Sequence, residues 1–299
     1  MASRAKFRVG FHNGAFHSAY FSFEKVVSWA REHGVKNIEC GMIDGVTWNH
    51  GLGYFPHVAS WEDPLTIRAL LDEQGVFLSQ IDAAFPISGK TGPTVGVPYI
   101  LNTIRWAAQE GCPMVDTTDG LHKPEGLSDR EAMESMRRSY GTIMEWAERY
   151  NIIINIETHG YFTGNPDYLE EMLDFADSSL LRLNYDFGNV FISGQDPVAF
   201  MQRFIHRISH LHIKDVARQL SQSSRGKQFG IGMSHCAVGE GVNAENIKTC
   251  FALLRDIEFR GHVSIECDAG GGPVMERSVA WVRETLDELK IAHDLGDAV

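Results

Sequence analysis

Short runs of apolar, β-branched and aromatic residues alternate along the chain with longer segments in which apolar positions recur every three or four residues. The first pattern is typical of buried strands, and the second is typical of helices that pack one face against a core. The alternation therefore predicts strands and helices in regular succession. The predicted strands are FRVGFH (7–12), KNIECG (36–41), FLSQIDAAF (77–85), MVDTTDG (114–120), IIINIETHG (152–160), LRLNYDFGN (181–189), ISHLHIKD (208–215) and HVSIECDAG (262–270).

A helical segment follows each of the eight predicted strands. Several of these segments end in a glycine that suits a helix C-cap, namely Gly34, Gly75 and Gly111. Eight strand–helix units without a Pro/Ser-rich linker predict an α/β fold in which residues 1–299 form a single (β/α)₈ TIM barrel. An open, doubly wound sheet is the alternative, but no GxGxxG motif follows the first strand to support it.

Two connections are longer than a barrel requires. They comprise residues 42–63 after the second strand and residues 216–243 after the seventh strand. Loops of this length in a compact domain usually form lids or binding walls. Because both follow the C-terminal ends of strands, where barrel active sites form, we expect them to border the active site.

Composition and charge narrow the classes of partner. The 299 residues carry a formal net charge of −12, and no Lys/Arg-rich run provides the basic surface that a phosphate backbone requires. No window approaches the ~18 apolar residues of a membrane span, and the start of the sequence lacks the apolar stretch of a signal peptide. The five cysteines show no CxxC or Cys/His zinc spacing. We expect a cytoplasmic protein that binds neither nucleic acid nor a membrane.

Polar residues stand near the C-terminal ends of the last four predicted strands. Because successive side chains of a strand point to opposite faces, Glu157 points into the barrel while the isoleucines beside it face the helices. The same alternation directs Asp186, His212 and Glu266 inward. Like charges about 4 Å apart repel by on the order of 4 kcal/mol, and a divalent cation would remove this conflict between the carboxylates. Three carboxylates and one imidazole are ligands that suit one Mn²⁺ ion, with Mg²⁺, Co²⁺ or Zn²⁺ as alternatives.

The motifs IETHG, NYDFGN, HLHIKD and SIEC, in this order, resemble those of the xylose isomerase-like (β/α)₈ superfamily of sugar isomerases and epimerases. The resemblance covers essentially the whole chain. Its most specific part is HLHIKD followed by AVGEGVNAENI and then FRGHVSIEC. The resemblance implies one divalent metal ion and an acid/base pair on opposite faces of a keto-sugar. The implied metal ligands are Glu157, Asp186, His212 and Glu266, and the implied acid/base pair is Glu157 and Glu266.

Two positions depart from the pattern of ketohexose 3-epimerases. Asn189 stands where their strand-six motif usually has histidine, and Thr163 stands near the place of a further glutamate. His159 follows Glu157 by two residues and shares its inward alternation, so it is a candidate catalytic base or supporting residue. The alternative is a histidine that caps the loop.

A second resemblance is to the catalytic subunits of C-glycoside deglycosidases, which share this barrel and metal set. It implies a lyase that first removes the proton beside the carbonyl of a 3-keto-glucoside, which gives an enolate, and then eliminates an aryl group. It also implies a small β-sandwich partner subunit.

Candidate substrate-binding residues lie near the strand ends and in the neighbouring loops. Lys214 points inward by the same alternation, so it either binds substrate or neutralises a carboxylate. The loop aromatics either pack the loops together or line a pocket for a sugar or an aromatic aglycone. The residues expected to bind substrate are His12, Asp116, Lys214, Arg218, Trp48 and Tyr161, with Glu39, Asp82, His122 and His235 as further polar candidates.

The leading prediction is a metal-dependent enzyme that abstracts a proton beside the carbonyl of a keto-sugar, as an epimerase or isomerase does. The alternatives are the C–C lyase, a keto-inositol dehydratase and a non-catalytic sugar-binding barrel. A metal-dependent endonuclease built on the same barrel is disfavoured by the acidic charge. We also expect a homo-oligomer.

Overall fold

The structure is a computed structural model, and it describes residues 5–19, 21–45, 56–227, 234–268 and 270–296. The strands of the chain form a closed parallel barrel. Its strands are β1 (Lys6–His12), β2 (Asn37–Ile43), β3 (Val58–Ala59), β4 (Phe77–Pro86), β5 (Met114–Thr118), β6 (Ile153–Glu157), β7 (Leu181–Asp186), β8 (Ile208–Ile213), β9 (His262–Ile265) and β10 (Ala292–His293). Within the described ranges, β1, β2 and β4 to β9 form the barrel, because β1 pairs with both β2 and β9. The predicted (β/α)₈ fold is confirmed.

Helices follow the barrel strands and cover them from outside. They are α1 (Phe23–Glu32), α2 (Pro64–Gln74), α3 (Val97–Glu110), α4 (Asp129–Tyr150), α5 (Pro166–Leu173), α6 (Phe187–Ile192), α7 (Pro197–Phe204), α8 (Arg218–Ser224), α9 (Ala244–Asp256) and α10 (Gly271–Glu288). The long helix α4 begins at a capping box, in which the Ser128 hydroxyl and the Glu131 carboxylate each accept a backbone N–H of the other residue. The predicted caps Gly75 and Gly111 both adopt the left-handed conformation. No helix in the described part of the chain has the length and apolar character of a membrane span.

Several predicted strand ends were wrong by two to five residues, and at β7 the structure shows the cause. The predicted strand 181–189 stops at Asp186, whose Oδ1 accepts the backbone N–H of Asn189 at 2.7 Å and caps α6. The Asp186 side chain thereby starts a helix directly after the strand, and the apolar residues of this segment did not indicate that change. The long connection after β8 likewise contains α8, while residues 46–55 and 228–233 of the two long connections lie outside the described residues.

A polar layer fills the barrel interior beneath the mouth. Gln80 Nε2 donates to Glu39 Oε1 at 2.8 Å, and Asn155 Nδ2 donates to Gln80 Oε1. Asn184 Nδ2 donates to Asp116 Oδ2 at 3.2 Å. Ile154 and Ile156, in contrast, belong to the hydrophobic core between the strands and the helices. This layer matters for the site because it fixes the positions of carboxylates that lie just below the mouth.

Candidate metal-binding and catalytic site

The four predicted metal ligands meet at the C-terminal mouth of the barrel. Glu157 and Asp186 are the last residues of β6 and β7. His212 lies one residue before the end of β8, and Glu266 directly follows β9. Their ligand atoms all lie within 4.8 Å of one another. Parallel register contributes to this proximity, since Asp186 pairs with His212 on the next strand.

The cluster has the chemistry of a cation site. His212 Nδ1 lies 3.1 Å from Glu157 Oε1 and 3.1 Å from Glu266 Oε2. Asp186 Oδ2 is buried and has no hydrogen-bond partner among the described residues, although a bare carboxylate oxygen is costly to bury. Three carboxylates that repel one another and one imidazole form a donor set that fits one divalent cation. The residues present can therefore hold a metal ion.

Glu39 lies on the opposite side of His212 from these carboxylates. The Nε2 atom of His212 is 2.8 Å from Glu39 Oε2 and 3.0 Å from Glu39 Oε1, and Glu39 is fully buried. Burial alone would lower the pKa of His212, but Glu39 and then Glu266 raise it well above 6.5. A carboxylate that accepts one ring N–H directs the other ring nitrogen toward the metal. Glu39 therefore orients His212.

His210 lies beneath this pair and remains neutral. Its Nε2 is 3.7 Å from Glu39 Oε2, and its Nδ1 is 3.0 Å from Asn184 Oδ1. Burial lowers the pKa of His210 to about 3. Glu39, His210 and His212 also lie close enough to hold a cation. Since His212 belongs to both groups and turns Nδ1 toward three carboxylates, the group at the mouth is the stronger candidate.

Substitution of Glu39 by glutamine should weaken metal binding and change its dependence on pH. In the metal-free protein, the raised pKa keeps His212 protonated at neutral pH, so a cation must displace one proton from Nδ1. Affinity for Mn²⁺ should therefore rise by about tenfold per pH unit below that pKa. Glu39→Gln should lower the affinity by roughly 10- to 100-fold and release fewer protons.

Titration calorimetry with Mn²⁺, in buffers of different ionisation enthalpy, measures both quantities. Glu276→Gln is a matched control, since the Glu276 side chain is 53% exposed and pairs only with His33 among the described residues. Equal affinity and equal proton release in Glu39→Gln and Glu276→Gln would show that Glu39 does not orient His212.

Lys214 adds a buried positive charge to the cluster. Its Nζ lies 2.8 Å from Glu266 Oε1 and 3.6 Å from both Asp186 Oδ2 and Asp268 Oδ1. Burial would raise the pKa of Glu266, but Lys214 and His212 together lower it well below its usual range. Burial raises the pKa of Asp186 well above 3.8, against the opposing effect of Lys214. Of the two predicted roles of Lys214, the structure shows charge neutralisation, and contact with substrate stays a prediction.

The two departures from the epimerase pattern have local explanations. Thr163 Oγ1 donates to Asp119 Oδ1 at 2.8 Å and accepts the backbone N–H of His159 at 2.9 Å, so it secures the loop after β6. Asn189 Nδ2 donates to Glu157 Oε1 at 3.3 Å. Asn189 thus contacts a predicted metal ligand and limits the orientations of its carboxylate.

The predicted residues His12, His159 and Asp116 also lie at the mouth. His12 Nε2 is 3.7 Å from Asp82 Oδ2, and its ring centre is 5.9 Å from that of His212. His159 Nδ1 lies 3.3 Å from Thr118 Oγ1 at the end of β5. Burial and then the nearby Glu157 carboxylate raise the pKa of Asp116 well above 3.8. Roles of these residues in catalysis or substrate binding stay predictions.

The remaining substrate-binding predictions fall in the loops. The Tyr161 hydroxyl donates to Asp129 Oδ2 at 3.3 Å, an interaction that joins the loop after β6 to the start of α4. Arg218 is exposed at the first residue of α8. Trp48 lies outside the described residues. The structure thus relates Tyr161 to loop packing, while contact of these three residues with substrate remains a prediction.

Residues 27–290 match the family model described as "Xylose isomerase-like TIM barrel". The chain belongs to this family. A similar curated protein is the inosose dehydratase of Clostridium tetani (strain Massachusetts / E88), which is 21% identical over 153 residues, or 50% of this chain and 51% of that protein. The chain thus spans about half the length of the curated relatives it matches.

Similar solved structures extend over nearly the whole barrel. A D-tagatose 3-epimerase-like protein has a TM-score of 0.74 and 20% identity, with 95% of this chain and 98% of that chain covered. The 3-keto-D-glucoside 4-epimerase of E. coli has a TM-score of 0.70 and 15% identity, with 93% and 99% covered. The IOLI protein, solved with a zinc atom, has a TM-score of 0.68 and 11% identity, with 95% and 98% covered. At these identities the structures establish the fold of this family.

Proposed function

We propose that this protein is a divalent-metal-dependent enzyme that removes a proton from the carbon beside the carbonyl of a keto-sugar, as an epimerase or isomerase does. The observation that carries the proposal is the group of three carboxylates around His212 Nδ1, in which a buried Asp186 oxygen accepts no hydrogen bond from the described residues. Relatives and structural neighbours named as inosose dehydratase and as sugar epimerases support carbohydrate chemistry. Mn²⁺ is the proposed ion, and the donor set also accepts Mg²⁺, Co²⁺ or Zn²⁺.

The protein's own groups can perform the proton transfer. Glu157, Asp186, His212 and Glu266 would hold the ion, which supplies Lewis acidity toward a carbonyl oxygen. Lys214 Nζ lies 2.8 Å from Glu266 Oε1 and favours the ionised carboxylate of Glu266, which could then accept a proton. Glu157 would face the other side of the sugar carbon and return a proton there.

Elimination is the second candidate, because the same loss of a proton can expel a group from the next carbon. The relatives named inosose dehydratase favour it. A keto-inositol dehydratase and a lyase of 3-keto-C-glycosides would both use this step. The β-sandwich partner subunit is proposed only for the lyase.

Proton NMR in D₂O tests the proposal without requiring the final product to be known. The Mn²⁺-loaded protein is incubated with D-tagatose, a keto-inositol and methyl 3-keto-β-D-glucoside. We expect the C–H signal beside the carbonyl of at least one compound to disappear, and EDTA to stop the exchange. Exchange with none of a broad panel of keto-sugars would favour the sugar-binding barrel. Full exchange by metal-free protein would contradict the metal dependence.

A further inference from the structure

A cavity of about 410 Å³ lies at the N-terminal end of the barrel. Its lining includes the first residues of four barrel strands, namely Met114, Ile153, Ile208 and His262. Arg182 also lines it and precedes Asp186 by four residues on β7, which corresponds to about 13 Å along a strand. The cavity is therefore separate from the metal cluster at the opposite end of the barrel.

Three arginines, Arg8, Arg182 and Arg260, line this cavity. The chain has 39 acidic residues and 27 lysines and arginines, so carboxylate partners are plentiful. Arg207, for example, pairs with Asp174 at 3.0 Å. Arg8 and Arg182, in contrast, form no ion pair with a carboxylate of the described residues. Guanidinium groups bind oxyanions through paired N–H donors, so the cavity favours an anion.

The guanidinium group of Arg182 is held in place while its charge stays uncompensated. Its Nη2 donates to the backbone oxygens of His206 at 3.0 Å and Ile208 at 3.3 Å. Its Nη1 and Nε donate to no residue in the described part of the chain. Burial and then the charge of Arg207 lower the pKa of Arg182 below that of an ordinary arginine. A bound anion would accept the remaining donors and offset this repulsion.

His262 adds a hydrogen-bond donor that lacks an acceptor. Arg8 Nη1 lies 3.2 Å from His262 Nε2, and because arginine can only donate, Nε2 accepts and Nδ1 carries the proton of the neutral ring. Burial and then Arg8 lower the pKa of His262 to about 4, so the ring is neutral near pH 7. Nδ1 is buried and has no hydrogen-bond partner among the described residues. This end of the barrel thus holds a further donor in need of an acceptor.

The size and the other walls of the cavity indicate a small organic molecule rather than a bare ion. Pockets for small molecules span roughly 300–1,000 Å³ and combine apolar walls with a few polar groups. This cavity lies in that range, and its apolar walls come from Pro113, Met114, Ile153, Ile208 and Phe259. A phosphate monoester joins about two negative charges and three acceptor oxygens to a carbon skeleton, whereas a carboxylate has one charge.

We propose that this cavity binds a small phosphate monoester, whose phosphate group is held by Arg8, Arg182 and Arg260 and whose carbon skeleton contacts the apolar walls. The proposal goes beyond the proposed function and does not depend on it, because the two sites lie at opposite ends of the barrel. Inorganic phosphate offers the same anion without the carbon skeleton, so it distinguishes an ester site from a site for the free ion.

Titration calorimetry of the whole chain in EDTA tests the proposal, because the carboxylates of the metal-free cluster repel anions. The probes are glycerol 3-phosphate, phenyl phosphate and inorganic phosphate. We expect at least one ester to bind roughly 5- to 50-fold more tightly than inorganic phosphate. Absence of binding by all three at about 10 mM would overturn the proposal, and so would inorganic phosphate that binds at least as tightly as both esters.

Arg8→Gln removes one charge from the cavity at an exposed position, and glutamine can still donate to His262 Nε2. It should weaken ester binding by roughly 10- to 100-fold. Arg182→Lys is a second variant, which keeps the charge but loses the paired donors and should also weaken binding. Arg277→Gln is the control, since Arg277 is 52% exposed and pairs with Glu240 at 2.7 Å, and its affinity should stay within about twofold. Unchanged affinity in both Arg8→Gln and Arg182→Lys, or an equal loss in Arg277→Gln, would overturn the proposal.

Discussion

Glu157→Gln should reduce solvent deuterium exchange on a keto-sugar by at least about 10³-fold, because it removes both a charged metal ligand and a proton-transferring group. Glutamine keeps the size of the side chain and can still accept the 3.3 Å hydrogen bond from Asn189. The loss should persist at Mn²⁺ concentrations that saturate the variant. NMR rates in D₂O, with metal content measured on the same samples, separate the loss of chemistry from the loss of metal.

Two further variants make this result specific. Glu145→Gln changes an exposed glutamate on α4 and should leave exchange unaltered. His159→Gln should cost less than about tenfold if the imidazole only supports the loop through Thr118, and about 10²–10⁴-fold if it transfers the proton itself. Near-normal exchange by Glu157→Gln would exclude Glu157 as the acid or base and would leave Glu266 and His159 to be tested.

Lys214→Met should destabilise the metal-free protein by about 3–5 kcal/mol. Methionine can fill much of the space of the lysine stem, but it leaves Glu266, Asp186 and Asp268 without their buried cation. Because the cluster becomes more negative, it should bind a divalent cation more tightly, and added Mn²⁺ should restore part of the lost stability. Urea unfolding with EDTA and with Mn²⁺ measures both effects.

Lys248→Met provides the comparison for this substitution. Lys248 forms a 2.7 Å ion pair with Glu288 on the surface, where its side chain is 34% exposed. Such a pair contributes up to about 1 kcal/mol, so this variant should lose little stability and gain nothing specific from Mn²⁺. If the two lysine variants unfold alike under both conditions, the carboxylates around Lys214 do not depend on its charge.

The four candidate ligands could be predicted from the sequence because each lies at or beside the end of a parallel strand. Alternation determines the inward face, and strand ends in a barrel converge at one mouth. Strand lengths were harder to predict, since a run of apolar residues does not show where the backbone stops bonding to the neighbouring strand and begins a helix or a turn. Asp186 illustrates this, because its side chain ends β7 by capping α6.

The role of Glu39 required the folded chain. Its partner His212 lies 173 positions away in the sequence, and only the closing of the barrel brings the two side chains into contact. A buried carboxylate within a strand signals that some partner exists, but the sequence does not identify the partner. The same reason applies to Lys214, whose distances to three carboxylates could not be known from the sequence, while its contact with substrate stays a prediction.

By itself, the amino-acid sequence determined the barrel, the inward carboxylates and the imidazole among them, because periodicity and strand order are local properties of the chain. Only the tertiary structure decided that Glu39 orients His212, that Lys214 neutralises the cluster, and that a cavity lined by arginines lies at the N-terminal end of the barrel. These features depend on distances between segments that are remote in the chain, and such distances arise only when the strands close and the loops pack above them.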